Sequence, residues 1–181
     1  PLVPVFLKAL SPYQAPAHCY LNIGGIANIC YIRDEEVLAF DIGVGNAPMD
    51  DLVKQHASLH YDQDGAIASS GKVNQQALSQ LLQDPFFSLG APKSIDRHHF
   101  VFSPLAKLPL ADALATICEF IAHSLKLGLG IINHAVDEIM VSGGGAKNPF
   151  LLSRLQAVSR VKITKVDQYG INGDLLEANA F

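Results

Sequence analysis

Three consecutive glycines, Gly143, Gly144 and Gly145, separate a short apolar strand from a helix start in the segment "VSGGGAKNPFLL". A strand, a glycine loop and a helix in this order are typical of α/β domains that offer main-chain N–H groups and a positive helix end to an anionic ligand. The segment is not a Walker A loop, since no Gly-Lys-Ser/Thr follows, and it is not a GxGxxG fingerprint. It predicts an α/β domain with a ligand bound at this loop. The alternative is that the glycines only allow the helix to pack closely on the strand.

A second pair of glycines, Gly24 and Gly25, joins two strand-like runs in "YLNIGGIANICYI". Because the tip of such a hairpin has no Cβ atoms, a phosphate can approach its main-chain N–H groups closely. An isolated Gly-Gly also fits a tight turn or bulge that needs positive φ. Together with the first loop, this tip predicts a second phosphate contact.

Asp41 is the candidate catalytic residue. In "FDIGVGN" it stands at the end of an apolar strand and is followed by Gly43 and Gly45. This pattern places a carboxylate at a rigid, glycine-lined edge that a substrate can reach. Asp41 could act there as a general base or as an indirect magnesium ligand, and it could equally be a turn or cap residue.

Five strand-like runs predict a mixed sheet, at residues 19–23, 28–32, 37–40, 138–142 and 161–166. The first three are joined by short turns and predict an antiparallel meander. The last two alternate with helical patterns and predict α/β units.

Three further helices are predicted. One begins after Asn46 and another after Asn148, each with the asparagine as its N-cap, and a third contains Leu78. The main core helix is predicted from apolar residues at helical spacing, namely Leu110, Leu114, Ile117, Ile121 and Leu125. Residues 84–104 are rich in proline and aromatic residues, and we expect them to form an irregular segment that folds over another part of the domain.

Composition excludes several classes of protein. The chain has 181 residues, of which 49% are hydrophobic, and a net charge of −4 without a Lys/Arg-rich run. We therefore expect neither nucleic acid nor a membrane among its partners, and residues 108–132 are too polar for a membrane span. Cys19, Cys30 and Cys118 are widely spaced and form no CxxC pair, which indicates reduced, buried thiols in a cytoplasmic protein.

Other polar clusters carry weaker signals. Asp62 and Asp64 in "YDQDG" resemble part of a calcium loop, but the remaining ligands are missing, so a turn is expected. His98 and His99, with Asp96, lack the partners of a zinc site and are expected to be loop residues.

Two glycine tips and an acid from a third strand resemble the superfamily of sugar kinases, hexokinase, Hsp70 and actin. Seven successive segments spanning the chain narrow the resemblance to the anhydro-N-acetylmuramic acid kinases. These segments are "PLVPVF", "LNIGGIANI", "FDIGVGN" with "MD" after it, "YDQDGAIASSGKVN", "PKSIDRHHF", "VSGGGAKNP" and "GINGDLLEANAF".

This resemblance implies an α/β fold, with an actin-like (ribonuclease H-like) mixed sheet, an antiparallel meander and flanking helices. It also implies a cytoplasmic enzyme of peptidoglycan recycling that uses ATP and Mg²⁺. Such kinases phosphorylate O6 of 1,6-anhydro-N-acetylmuramic acid while water opens the anhydro ring, giving N-acetylmuramic acid 6-phosphate. The expected partners are ATP and this anhydro-amino sugar, and a homodimer is expected for the complete enzyme.

Site residues are carried over onto matching positions. Asp41 matches the catalytic base that activates the water. The residues expected to bind the nucleotide are Asn22, Gly24, Gly25, Asn28, Gly43, Gly45, Asn46, Gly143, Gly144, Gly145 and Asn148. No direct metal ligand is assigned. Phosphoryl transfer needs mainly positioning and charge stabilisation, which agrees with glycine loops around one acid.

Residues 1–181 are expected to form the C-terminal, nucleotide-side domain of such a kinase. The family's N-terminal lobe, with its "GTSxDG"-like phosphate loop, has no counterpart in this sequence, so we expect the chain alone to be inactive. Two alternatives stay open. One is a noncatalytic relative that binds nucleotide or dimerises, and the other is a phosphotransferase of the superfamily with another substrate.

Overall fold

The computed structural model describes residues 17–173. The "PLVPVF" segment and most of "GINGDLLEANAF" lie outside the described residues. Five strands form one mixed sheet in the described part: β1 (His18–Ile23), β2 (Ile26–Arg33), β3 (Glu36–Val44), β4 (Glu138–Ser142) and β5 (Lys162–Lys165).

The strand order is β3-β2-β1-β4-β5. β2 pairs antiparallel with both β1 and β3, whereas β4 pairs parallel with β1 and β5. The predicted antiparallel meander within a mixed sheet is therefore confirmed. Because β1 and β4 are parallel, the glycines that follow both strands lie at the same edge of the sheet.

β3 does not end at Asp41, so that part of the sequence prediction is wrong. Asn28 of β2 pairs with Asp41 and Ala27 pairs with Gly43, which leaves Ile42 as the extra residue of a β-bulge. Gly43 has a φ of +151°, a conformation that L side chains rarely adopt. A glycine normally weakens a strand, but pairing of β2 with Gly43 and Val44 extends β3 beyond this glycine.

The helices of the described part are α1 (Ala47–Ala57), α2 (Ala66–Ser70), α3 (Gln75–Leu81), α4 (Leu110–Leu129) and α5 (Pro149–Ser159). α4 is the predicted core helix, and most of its side chains are buried. Within residues 17–173, no helix is long and apolar enough to cross a membrane.

The main apolar core lies between the helices and one face of the sheet. Alternate strand residues such as Leu21, Ile29 and Ile139 are completely buried in it, as expected for a period of two. The opposite face carries a smaller buried cluster, made of Tyr20, Cys30, Ile32, Met140 and Val166.

All three cysteines are free and buried, as predicted. Burial raises the pKa of the Cys19 and Cys30 thiols to about 12. The thiols are therefore protonated at neutral pH and behave as small apolar side chains.

The two predicted N-caps differ in the structure. The Asn148 side chain accepts a hydrogen bond from the Leu151 N–H at 2.9 Å, which confirms it as the N-cap of α5. Asn46 precedes α1, but its side chain makes no capping bond and its amide group instead donates to Asp50 Oδ2 at 2.7 Å. Asn46 has helical backbone angles, whereas a capping Asn usually has extended ones.

Residues 84–104 form an irregular segment that packs on α4, as predicted. Its aromatic side chains meet the helix through Phe120, whose ring centroid lies 5.1 Å from that of Phe100. Phe100 in turn packs edge-on against Phe86, at 5.9 Å. This aromatic cluster holds the segment beside the open edge of β3.

Helix α4 approaches β3 closely at Gly128, because a Cβ atom there would lie 2.5 Å from Ile42 Cγ2. We expect Gly128→Val to lower the free energy of unfolding by about 1–3 kcal/mol through overpacking, as measured by urea denaturation. The matched control is Gly90→Val, since nothing lies within 4 Å of a Cβ atom at Gly90. Equal stabilities of the two variants would contradict this packing argument.

Candidate active site

Four polar residues form a row across the sheet. Asp41 pairs with Asn28, Asn28 pairs with Asn22, and Asn22 pairs with Ser142. Directly paired residues point to the same face of a sheet, so these side chains share the face that carries the smaller apolar cluster. The structure thus brings together Asp41, Asn28 and Asn22, and it adds Ser142, which sequence reasoning missed. Ser142 Oγ lies 3.4 Å from Asn22 Oδ1 and supports its orientation.

The carboxylate of Asp41 is half-buried and held by a segment that is distant in sequence. Asp41 Oδ2 accepts a hydrogen bond from the Ile95 N–H at 2.9 Å, and the Asp41 N–H donates to the Lys93 carbonyl at 3.0 Å. Burial raises the pKa of Asp41 above its ordinary value, and the bond from Ile95 partly offsets this rise. A carboxylate with a raised pKa accepts a proton more readily, as a general base must.

The β1–β2 hairpin tip is fixed to the start of α1 by its carbonyl groups. Gly24 O accepts from the Asn46 N–H at 2.8 Å, and Gly25 O accepts from the Gly45 N–H at 2.9 Å. The Gly24 N–H bonds to Ile26 O at 3.2 Å within the tip. That donor is therefore used within the hairpin itself.

Neither glycine of this tip is required by the fold. Neither Gly24 nor Gly25 has positive φ, and a Cβ atom at either would meet its nearest neighbour at an ordinary distance of 3.7 or 3.6 Å. By contrast, a Cβ atom at Gly45 would overlap Gly24 O, so Gly45 is needed for packing. Neither backbone conformation nor packing therefore explains why both residues of the tip are glycines.

The three glycines after β4 also differ in whether the fold requires a glycine at their position. Gly143 has a φ of +82°, and a Cβ atom there would lie 2.5 Å from Asn22 Oδ1. A Cβ atom at Gly145 would lie 2.7 Å from Ile23 Cβ. Gly144 is different, because its nearest neighbour would be Asn46 Nδ2 at 3.7 Å. Close packing explains Gly143 and Gly145, and only Gly144 is left without a structural reason.

A cavity of about 430 Å³ opens beside Gly144. Its walls come from the glycine loop, the first turn of α1 and the turn before α2, and they include Asn46, Asp50, His60, Tyr61, Asp64, Lys147 and Asn148. The cavity is large enough for a small organic ligand. Asp41 and the hairpin glycines are not among its lining residues.

Two groups in this cavity have unusual environments. Among the described residues, Asn46 Oδ1 is buried and has no hydrogen-bond partner. Burial raises the pKa of Asp50, although the Asn46 amide group that donates to it partly offsets the rise. A buried acceptor without a donor is costly, and a ligand that supplies a donor would remove this cost.

The polar clusters with weak sequence signals have structural roles. Asp62 accepts hydrogen bonds from the Ile67 and Ala68 N–H groups at 2.8 and 2.9 Å, which stabilises the start of α2. His99 lies 3.0 Å from Asp84 in the irregular segment. No cluster of three or more potential metal-ligating side chains exists within residues 17–173.

Sequence reasoning missed the other wall of the cavity. His60 and Tyr61 are not among the predicted site residues, and the sequence predicts only a turn at Asp64. Lys147 lies two residues after Gly145, so its position near the glycine loop is apparent from the sequence. The remaining residues gave no local signal because the cavity forms only when the turn before α2 packs against α5.

Comparison with solved structures defines the class of the fold. The activator of 2-hydroxyisocaproyl-CoA dehydratase from Clostridium difficile superposes with a TM-score of 0.58 at 15% identity, covering 99% of this chain and 62% of that one. Gluconate kinase from Lactobacillus acidophilus superposes with a TM-score of 0.55 at 18% identity, covering 91% of this chain and 41% of that one. The domain has the expected α/β fold of the actin-like class.

The family follows from sequence comparison. The model of the family described as anhydro-N-acetylmuramic acid kinase matches residues 1–181. The anhydro-N-acetylmuramic acid kinase of Roseobacter denitrificans is 38% identical over 193 residues, covering all of this chain and 51% of the relative. The chain belongs to the anhydro-N-acetylmuramic acid kinase family, and it spans about half the length of the curated relatives it matches.

Gly144 and Gly145 are adjacent but have opposite structural requirements. We expect Gly145→Val to lower the free energy of unfolding by about 2 kcal/mol or more, because the side chain would overlap Ile23. Gly144→Val should stay within about 0.5 kcal/mol of the unchanged protein, since the position is open. Urea denaturation of both variants measures the difference, and a large loss for Gly144→Val would show that this glycine is structural as well.

Proposed function

We propose that the chain forms the nucleotide-holding half of an ATP-dependent kinase of 1,6-anhydro-N-acetylmuramic acid. The observation that carries this proposal is the arrangement of three features at one edge of the sheet. The cavity lies beside Gly144, and the bare tip of the β1–β2 hairpin is bonded to Asn46 of that cavity. Asp41 of β3 pairs with Asn28 of β2, the strand that leaves the tip.

The nucleoside end of ATP fits the cavity. Asp50 and Asp64 give part of its wall a negative charge, which would repel phosphates but accept hydrogen bonds from ribose hydroxyl or base amino groups. The unpaired Asn46 Oδ1 is a further acceptor beside the cavity. The phosphates would then lie over Gly144, Gly24 and Gly25, where no side chain blocks their approach.

Asp41 would serve as the general base. Its carboxylate takes a proton from a water molecule whose oxygen bonds to C1 of the anhydro sugar. The bridging C1–O6 bond breaks, and O6 forms the new bond to the γ-phosphorus as ADP leaves. The raised pKa of Asp41 makes its carboxylate a stronger base, and the protein otherwise contributes positioning.

The family resemblance implies Mg²⁺, and the residues present are compatible with one way of holding it. Mg²⁺ in kinases is usually held by substrate phosphates, water and one or two carboxylates. The metal would therefore be held by the nucleotide phosphates and water, and no direct side-chain ligand is assigned to it among residues 17–173. Magnesium, when bound, would neutralise charge that develops on the phosphates.

The role of Asp41 predicts the effect of Asp41→Asn in the active enzyme that contains this chain. This change keeps the shape and removes the basic carboxylate, so turnover should fall by roughly 10²–10⁴-fold while the KM values change little. Since a base works only when deprotonated, kcat/KM of the unchanged enzyme should fall as the pH drops through the raised pKa of Asp41. Steady-state kinetics between pH 4 and pH 9 measure both effects.

Asp34→Asn is the matched control, because Asp34 lies at the exposed far turn of the β2–β3 hairpin and should tolerate the change. If Asp41→Asn kept near-normal turnover, and if its kcat/KM still fell at low pH (the acid limb of the pH profile), Asp41 would be refuted as the base.

The nucleotide site predicts the effect of Gly144→Val on ATP binding. A branched side chain at this open position would occupy the space beside the cavity where the phosphates must pass. We expect ATP affinity in titration calorimetry to fall at least 10-fold, about 1.4 kcal/mol, while stability stays unchanged. Gly90→Val, at an open position that does not line the cavity, is the control. Unchanged ATP affinity of Gly144→Val would place the nucleotide elsewhere.

Two alternative functions are also compatible with membership of the family: a noncatalytic relative that binds nucleotide or dimerises, and a phosphotransferase acting on another substrate. We infer that transfer needs groups beyond residues 1–181, as expected from the sequence. The purified chain should then form no sugar 6-phosphate from ATP, magnesium and the anhydro sugar, whereas the longer enzyme should. A longer enzyme that binds ATP without transfer would favour the noncatalytic reading.

The free, buried cysteines agree with a reducing, cytoplasmic compartment, which we include in the proposal. The homodimer stays a prediction, to be checked by light scattering of the complete enzyme.

A further inference from the structure

Residues 92–95 run along the open edge of β3 and hold Asp41 from outside the sheet. This short segment makes two hydrogen bonds to one residue: its Lys93 carbonyl accepts from the Asp41 N–H, and its Ile95 N–H donates to Asp41 Oδ2. The main chain and the carboxylate of Asp41 are thus fixed by the same segment. We name residues 92–95 the brace.

The side chain of Lys93 fastens the brace to the aromatic cluster. Lys93 Nζ donates to the Phe86 carbonyl at 3.2 Å and also lies 4.3 Å from the centroid of the Phe86 ring. Burial lowers the pKa of this ammonium group, so the side chain is partly withdrawn from water. A cation over an aromatic face that also bonds a carbonyl is a specific anchor rather than a loose surface contact.

The anchor is itself rigid. Phe86 is almost completely buried and packs against Phe100, which packs against Phe120 of α4. Aromatic pairs in such edge-on arrangements resist displacement. A continuous set of contacts therefore connects the core helix, through Phe86 and Lys93, to the carboxylate of Asp41.

We infer that Lys93 is a positioning residue for the catalytic Asp41, acting through the brace and not by contact with substrate. This inference rests on the proposed role of Asp41 as the base. The Ile95 N–H fixes one carboxylate oxygen, and the anchored brace keeps that donor in place. A general base that is held in one orientation stays correctly placed to take the proton, whereas a freely rotating side chain does not.

The charge of Lys93 does not act on Asp41 directly. Burial raises the pKa of Asp41 and the Ile95 hydrogen bond lowers it, and neither cause is a neighbouring charge. The ammonium group of Lys93 faces Phe86. The next charged side chains along the segment are Asp96, whose Oδ1 accepts a hydrogen bond from the His98 N–H, and Arg97, which contacts Asp51. Release of the brace would remove a donor that favours the ionised carboxylate, and it would therefore raise the pKa of Asp41.

The test is Lys93→Met in the active enzyme that contains this chain. Methionine keeps the length and apolar packing of the side chain but cannot donate to Phe86 O. We expect kcat near pH 7 to fall about 10-fold, the acid limb of kcat/KM to move upward by about half a pH unit or more, and both KM values to stay within about twofold. Lys93→Arg keeps a cationic donor and should restore most of the activity.

Two further variants control this experiment. Lys107→Met makes the same change at an exposed lysine and should behave as the unchanged enzyme. Ile95→Pro removes the donor itself and should reproduce the shift of the acid limb, whereas Ile95→Val should not. Circular dichroism and urea denaturation establish that each variant is folded before its kinetics are compared.

The Asp41→Asn background separates failure of this inference from failure of the proposed function. If Lys93 acts through Asp41, Lys93→Met should have little further effect once Asp41 is Asn. An unchanged acid limb in Lys93→Met, or an equal loss of turnover in both backgrounds with a raised KM for the sugar, would overturn the inference. High activity of Asp41→Asn alone would instead refute the base assignment.

Discussion

Two main-chain hydrogen bonds at the β1–β2 tip are the constraint on which the site depends. They join the carbonyls of Gly24 and Gly25 to the N–H groups of Asn46 and Gly45, and so fix the bare tip against the start of α1. The close approach leaves no room for a side chain at Gly45. Because α1 also forms one wall of the cavity, the same contact sets the position of the cavity relative to the tip.

Parallel pairing of β1 with β4 supplies the second constraint. It places the glycine loop after β4 beside the end of β1, where Gly143 and Gly145 pack against Asn22 and Ile23. These two glycines give the loop its close fit, and Gly144 is left open toward the cavity. Packing thus explains Gly143 and Gly145, whereas the bare position of Gly144 is explained only by the proposed nucleotide site.

Asp41 combines strand geometry with a contact from a distant segment. The bulge at Ile42 changes the local alternation of β3, and pairing with Asn28 puts the Asp41 side chain on the polar row. The brace then bonds both the main chain and the carboxylate of Asp41. Asp41 is thereby half-buried with a raised pKa and yet has a specified orientation, a combination that suits a general base.

The sequence by itself determined the local features: the meander, the core helix, the Asn148 cap, the glycines that follow β1 and β4, and the acid beside glycines in β3. Each rests on spacing or on residues a few positions apart, which leave a readable pattern. Only the tertiary structure decided that β3 continues past Asp41, that Asn46 bonds Asp50 instead of capping α1, and that His60 and Tyr61 face Gly144 across a cavity. The Ile95–Asp41 bond joins residues 54 positions apart. Such contacts arise when packed elements meet, and no local periodicity encodes them.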